Sequence, residues 1–292
     1  MSKDFERQSQ DFLWYSYFGI TKTDAENYKD KALEACIDRA YQDLPRTLSY
    51  KYSIEYLKNN PDNYSEEEFK ALKDNFEALK ENYKECISKK IFYSIKDLLN
   101  EDKSFAAWHE TTSNLIVSIS KGEKENEQEY RYGESLFKKE NNEVEFYYGQ
   151  AQKWLNMTLK YMLVMGLWGI EKYKDSLHVP IDNYIYKAAK KATNEPIYKN
   201  DAENKDVVTG LNVKQIKRNI SKDNKENNED VAWSRINQEE YNNYQNEIRK
   251  SINNSQYNSS IEWEFDAWIA QAKEEKRIEQ EKQKNKKENK NK

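Results

Sequence analysis

Glycine and proline are scarce, at 7 and 4 of 292 residues. An all-β chain needs many turns, and most nucleotide binders approach phosphates through glycine-rich loops. Neither class fits, and no P-loop or Gly-x-Gly-x-x-Gly run is present. The two cysteines, Cys36 and Cys86, are too few and too isolated for a zinc site or a disulfide framework. The two histidines, His109 and His178, have no third ligand beside them, so no metal and no cofactor is expected. No apolar run approaches the roughly eighteen residues of a membrane span, and no signal peptide opens the chain. The longest apolar stretch, Tyr161 to Ile170, reads as buried core. The expectation is an intracellular, cytoplasmic protein that makes no membrane contact.

What is present favours helix. Hydrophobic residues are only 37% of the chain, below the usual share, but 22 Tyr and 7 Trp supply large buried areas. The net charge of −4 excludes a protein that coats nucleic acid through a basic excess. The charge is uneven: residues 271–292 hold nine Lys/Arg and five Glu, a net of +4, which leaves −8 on residues 1–270. The basic end reads as a solvated tail.

Capping signals and periodicity divide the chain. The first helix is expected to begin at Thr23, where Thr23-x-x-Glu26 matches a capping box, with Ala25, Tyr28, Ala32, Cys36 and Ala40 following at helical spacing until Pro45. After the Pro61-Asp62-Asn63 turn, Ser65-x-x-Glu68 opens a second helix whose stripe is Phe69, Leu72, Phe76, Leu79, Tyr83 and Cys86. That helix is expected to reach about Lys89, then to continue or kink into Ile91–Leu99. A further helix falls in 104–120, and 121–144 reads as a long loop. Helices from about Gln150 to Trp168 and Asn183 to Thr193 form a central segment, 121–193. The Asn/Lys-rich run 194–230 reads as a polar insertion outside the core. Trp233, Ile236, Tyr241, Tyr244 and Ile248 mark one more helix, and Ser259-x-x-Glu262 caps the last. The expected organisation is therefore 1–120, 121–193, 194–230, 231–270 and a charged tail, 271–292.

The chemistry-bearing residues gather in the central segment. Gly149, Lys153, Asn156 and Lys160 recur at helical spacing and share one face, which reads as a solvated face before it reads as a cleft lining. Asp182 follows Pro180 and precedes a helix, so its plainest role is an N-cap. A helix start also suits a carboxylate that must stay ionised, so a catalytic base has compatible geometry. His178 and His109 read first as hydrogen-bonded structural residues.

The run Gly149 to Lys160, followed by Pro180-Ile181-Asp182-Asn183-Tyr184-Ile185, resembles the core of the helix-hairpin-helix DNA glycosylases. The resemblance implies a mainly α fold, a helical bundle with a helix-hairpin-helix glycosylase-like core and an irregular insertion. It places Asp182 at the catalytic aspartate and Lys153 near the lysine nucleophile of enzymes that flip a base from the duplex. Gly149 alone stands where that family has several hairpin glycines, and Asn183-Tyr184 replaces Thr-His. The segments Gly-x-Ala-Gln-Lys-x-x-Asn-x-x-x-Lys-Tyr and His-x-Pro-x-Asp are also similar to those of uncharacterised bacterial and phage proteins. In length and Lys/Asn-rich character the chain is similar to the phage Gabija anti-defence inhibitor family. That likeness implies a non-enzymatic homo-oligomer that binds a host defence nuclease complex in the bacterial cytoplasm and blocks its access to DNA. The 194–230 excursion and the aromatic C-terminal segment are then candidate contact surfaces, and Gly149, Lys153, Asn156, Lys160 and His178 of the central motif are candidate binding residues. The alternative is a DNA-binding base-excision enzyme using Asp182, possibly with Lys153.

Overall fold

The computed structural model describes residues 3–51, 65–101, 103–123, 132–167, 169–193, 197–198, 207–222 and 225–290. The fold is mainly helical, and it divides into two compact units, Met1–Tyr173 and Lys174–Lys292. The boundary falls inside the segment 121–193.

In the first unit, helices α1 (Lys3–Phe18), α2 (Lys22–Asn27) and α3 (Lys29–Gln42) follow one another closely, so a helix precedes the one expected to be first, and the expected element from Thr23 to Pro45 is broken in two at Tyr28. The cap is Thr21, not Thr23: Thr21 Oγ1 accepts the Asp24 N–H at 2.9 Å. Thr23 instead bonds back to Asp11 of α1 through its N–H and hydroxyl, which holds that carboxyl below its ordinary pKa. The sequence offered two threonines two residues apart, and the pull of α1 settled which one caps.

Helix α4 (Glu66–Asn100) is a single continuous rod of 35 residues. Its predicted capping box forms: Ser65 N–H donates to Glu68 Oε2 at 2.8 Å and Glu68 N–H to Ser65 Oγ at 3.2 Å. Three glutamates in the first turn complement the helix dipole. No kink intervenes because Tyr83, Ile87, Ile91, Ile95 and Leu98 keep one buried seam past Lys89. The Pro61-Asp62-Asn63 turn lies outside the described residues.

Helix α5 (Phe105–Lys121) ends at Gly122 in the left-handed conformation. A single turn, α6 (Gly133–Leu136), leads to a hairpin of β1 (Lys139–Glu140) and β2 (Glu143–Val144). Asn141 and Asn142, both at positive φ, form its two-residue turn. Part of the expected 121–144 loop is thus ordered by a paired-asparagine signal. Helix α7 (Tyr148–Met165) packs on α3 and α5. It stops three residues before the expected Trp168 because Gly166 turns left-handed and Leu167 N–H closes back on Met162 O at 3.0 Å. Tyr161, Met162, Met165, Leu167 and Ile170 are buried, but Val164 is exposed, so the described part of the Tyr161–Ile170 run is not wholly core.

In the second unit, α8 (Asn183–Lys190) is followed by two short antiparallel pairs: β3 (Ile197–Tyr198) with β4 (Val207–Val208), and β5 (Lys217–Lys222) with β6 (Lys225–Asp230). Helices α9 (Gln238–Ile252) and α10 (Ser260–Lys290) complete it. The run 194–230 is not wholly an excursion from the core. Val208, Leu211 and Val213 are buried, and Asn212 and Val213 N–H groups bond to Lys191 and Ala189 carbonyls at the end of α8. That approach demands glycine at 210, where a Cβ would meet the Lys191 carbonyl oxygen at 2.4 Å.

Trp233 belongs to a short 3₁₀ turn, and α9 starts only after Asn237, whose side chain accepts the Glu240 N–H at 2.9 Å. The last helix runs through the charged segment to Lys290, exposed from Lys276 to Lys286. The segment read as a solvated tail is helical, with Gln271 buried at its start. Lys187–Glu275 at 2.7 Å and Lys191–Glu274 fasten the start of that segment to α8. Among the described residues no helix is long and apolar enough to cross a membrane.

Candidate functional site

The polar stripe of α7 is not a solvated face. Gly149 and Asn156 are buried, Lys153 is only 5% exposed, and Lys160 is half-buried. Their surroundings explain why. On the α7 side facing α5, the Gly149 carbonyl accepts the Gln152 amide at 2.7 Å, which fixes Gln152 Oε1 as an acceptor. Asn156 Nδ2 donates to that oxygen at 2.8 Å, which fixes Asn156 Oδ1 as an acceptor in turn. His109 Nε2 of α5 lies 2.8 Å from Asn156 Oδ1, so its proton must sit on Nε2. One backbone carbonyl thereby sets two amide orientations and a histidine tautomer.

Buried polar groups stabilise a fold only when bonded to partners, and this relay meets that condition. Asn156→Ala removes both an acceptor for His109 and a donor for Gln152. We expect it to cost about 3 kcal/mol at denaturant midpoint, more than a neutral buried truncation of that size. A cost below about 1 kcal/mol would show the relay to be dispensable. Spacing alone could not join His109 to Asn156, 47 residues apart. The sequence signal was a histidine on a helical stripe shared with Phe105, Trp108 and Ile116.

The His178–Asp182 turn lies in the second unit. His178 Nδ1 is 2.6 Å from the Tyr241 hydroxyl. One turn further along α9, Gln245 grips the Val179 backbone twice, Oε1 accepting its N–H at 3.1 Å and Nε2 donating to its carbonyl at 2.7 Å. Tyr241 and Gln245 are neighbours on α9 at i and i+4, and both are buried. The sequence reading placed Tyr241 in a core stripe and missed Gln245. Their joint effect is to strap an extended segment that has no sheet to pair with.

Asp182 is the N-cap of α8. Its Oδ1 accepts the Ile185 N–H at 2.9 Å and its Oδ2 accepts Trp268 Nε1 at 3.2 Å. Trp268 also sets its ring edge-on to Tyr184 at 5.2 Å between centroids. Asparagine keeps one acceptor oxygen and can still cap. We expect Asp182→Ala to lose about 1 kcal/mol and Asp182→Asn to lose a few tenths, both read by thermal unfolding. Equal losses from the two would point to a role for the charge.

Two open grooves of the first unit, of about 510 and 600 Å³, are lined by α3 and α4 residues such as Glu34, Asp38, Glu81 and Phe92 in one and Lys29, Asp30 and Lys96 in the other. Neither includes a motif residue. Among the described residues no group of three or more His, Cys, Asp or Glu side chains gathers as a metal site. Cys36 is buried against Met165, sulfur to sulfur at 3.3 Å, and burial pushes its thiol far above the ordinary range, which makes it inert. Compared with protein-family models, curated proteins and solved structures, the chain matches none.

Proposed function

We propose that the chain is a non-enzymatic protein-interaction protein, built on a core derived from the helix-hairpin-helix glycosylases. On this reading it is a phage-encoded inhibitor that binds a host defence nuclease complex of the Gabija kind in the bacterial cytoplasm. Binding would keep that complex from DNA or from cutting it. One observation carries the reading: the residues a base-excision enzyme would present to a flipped base are engaged by the protein itself, Lys153 and Asn156 in the interior and Asp182 at a half-buried helix start. Lys153 is 5% exposed, Asn156 is locked to His109, and both Asp182 oxygens accept hydrogen bonds as a helix cap. A glycosylase needs an open pocket at its lysine and aspartate. The acidic balance of residues 1–270 also favours a protein target over a phosphate backbone.

The deciding experiment is affinity purification of the tagged protein from host cells carrying defence systems, with mass spectrometry of what is retained. A nuclease complex that is recovered and inhibited in a DNA-cleavage assay, equally by wild type and by Asp182→Asn, supports the reading. Release of a base from duplex DNA by the wild type but not by the folded Asp182→Asn variant would replace it with the enzyme reading.

A further inference from the structure

Helix α10 changes character along its length. Up to Glu275 it is fastened: Ile261, Trp263, Ala267 and Ala270 are buried, Glu275 pairs with Lys187 at 2.7 Å, and Glu274 pairs with Lys191. From Lys276 to Lys286 every residue is exposed. The charge changes as well. Over 271–281, Lys273, Lys276 and Arg277 stand against Glu274, Glu275, Glu279 and Glu281, a net of −1. Residues 282–290 hold five Lys, one Glu, two Asn and one Gln, a net of +4 with no apolar residue. A helix polar on every side needs many i,i+4 pairs, or a partner beside it, to persist. Beyond Lys276 the described pairs are Arg277–Glu281 at 3.8 Å and Gln283 to Glu279 at 3.5 Å, and neither lies past Gln283. Lys282, Lys284 and Lys286 pair with no carboxylate among the described residues.

We propose that residues 282–290 are a docking rod for the major groove of duplex DNA, contacting its phosphates without reading sequence. The rod rises about 13 Å, and a helix with its side chains is about 10–12 Å across, which matches a groove roughly 12 Å wide. Composition picks this occupant out from the others. A protein surface binds through an apolar core, and the rod has none. Single strands are held by aromatic stacking, and no aromatic follows Trp268. The major groove of duplex RNA is too narrow to admit a helix. A membrane-surface helix buries an apolar face, which Ile278 alone does not make. Lysine rather than arginine supplies the charge, as point contacts to phosphate rather than bidentate contacts to bases. The net −8 of residues 1–270 is repelled by the same phosphates, which confines the contact to this end of α10. DNA contact here does not depend on which protein the chain targets.

Fluorescence anisotropy of the whole protein with a labelled DNA duplex of about 20 base pairs tests it, with a Kd expected on the order of 10 µM at about 50 mM salt. With about four phosphates engaged, affinity should fall roughly 100-fold between about 50 and 200 mM, a slope of about −3.6 in log K against log salt. Lys282→Gln, Lys284→Gln and Lys286→Gln together should bring that slope to about −1 and weaken binding roughly 30-fold or more, with the thermal unfolding midpoint unchanged. Lys70→Gln, Lys73→Gln and Lys138→Gln together remove three exposed lysines of the first unit and should leave slope and Kd as in the wild type. Duplex RNA of the same length should bind at least about threefold more weakly. Absence of binding at the lower salt would overturn the proposal, as would a slope indifferent to the α10 substitutions or lowered equally by the first-unit set. Duplex RNA or phosphatidylserine vesicles bound as tightly as the DNA would overturn it too.

Discussion

Replacing Trp154 by alanine is expected to cost about 4 kcal/mol, the largest effect of any single substitution considered. The indole is wholly buried on α7, its Nε1 donates to the Ile37 carbonyl of α3 at 3.1 Å, and its ring lies 4.9 Å from Tyr41 and 6.3 Å from Tyr83. Truncation removes the apolar area, empties a cavity that three helices border, and leaves the Ile37 carbonyl without this donor. Trp154→Phe keeps most of the volume and loses the hydrogen bond, so about half of the cost should return. Urea unfolding followed by far-ultraviolet circular dichroism measures both. A loss below about 1.5 kcal/mol for Trp154→Ala would mean that α3 and α7 close over the gap, and the account of this core would be wrong.

The second expectation concerns alkali. Burial raises the phenol pKa of Tyr41, Tyr50, Tyr83, Tyr161, Tyr186 and Tyr244, and pushes Tyr148 up to about 12. The Asp43 carboxylate, which accepts the Tyr161 hydroxyl at 2.5 Å, adds to that residue's shift. A folded pKa above the unfolded value of about 10 means that the neutral phenol is the form the fold holds. The stabilising contribution is complete below about pH 10 and drains away as pH rises through that value toward the folded pKa. For Tyr148 alone the contribution at stake is about 3 kcal/mol. Stability should therefore stay level near neutrality and collapse cooperatively in strong alkali. Phenolate absorbance should show one ordinary class of tyrosines and a late class that ionises together with loss of helix. A single class titrating at the ordinary value with the helices intact would refute this.

Much of the helical layout was legible from local rules. The Ser65–Glu68 capping box, the stripe that follows it and the Asp182 cap depend on residues three or four apart, and such signals survive without knowledge of the fold. The reading went wrong where a distant partner decided the outcome. Thr21 displaced Thr23 because α1 engaged the latter, and Asn156 of the α7 stripe turned inward to His109 on another helix. Leu211 and Val213 look like stray apolars in a polar run until the end of α8 is in place to receive them. The candidate residues shared this fate: their spacing is plain in the sequence, but whether each faced water or a partner was decided by tertiary contacts.

The strap on His178 and Val179 has a consequence for how the molecule is made. The segment just past the boundary between the units is held by Tyr241 and Gln245, 63 and 66 residues further along. On the ribosome, the groups that fasten this segment emerge only after the two short strand pairs have been synthesised. Domains generally fold as units in the order they are synthesised, and closing a long loop must precede the contacts that repay it. Synthesis stalled at the β5–β6 hairpin would leave the first unit with all of its own sequence and the second with its leading segment unfastened, a nascent chain most of the way to full length with only one of its units complete.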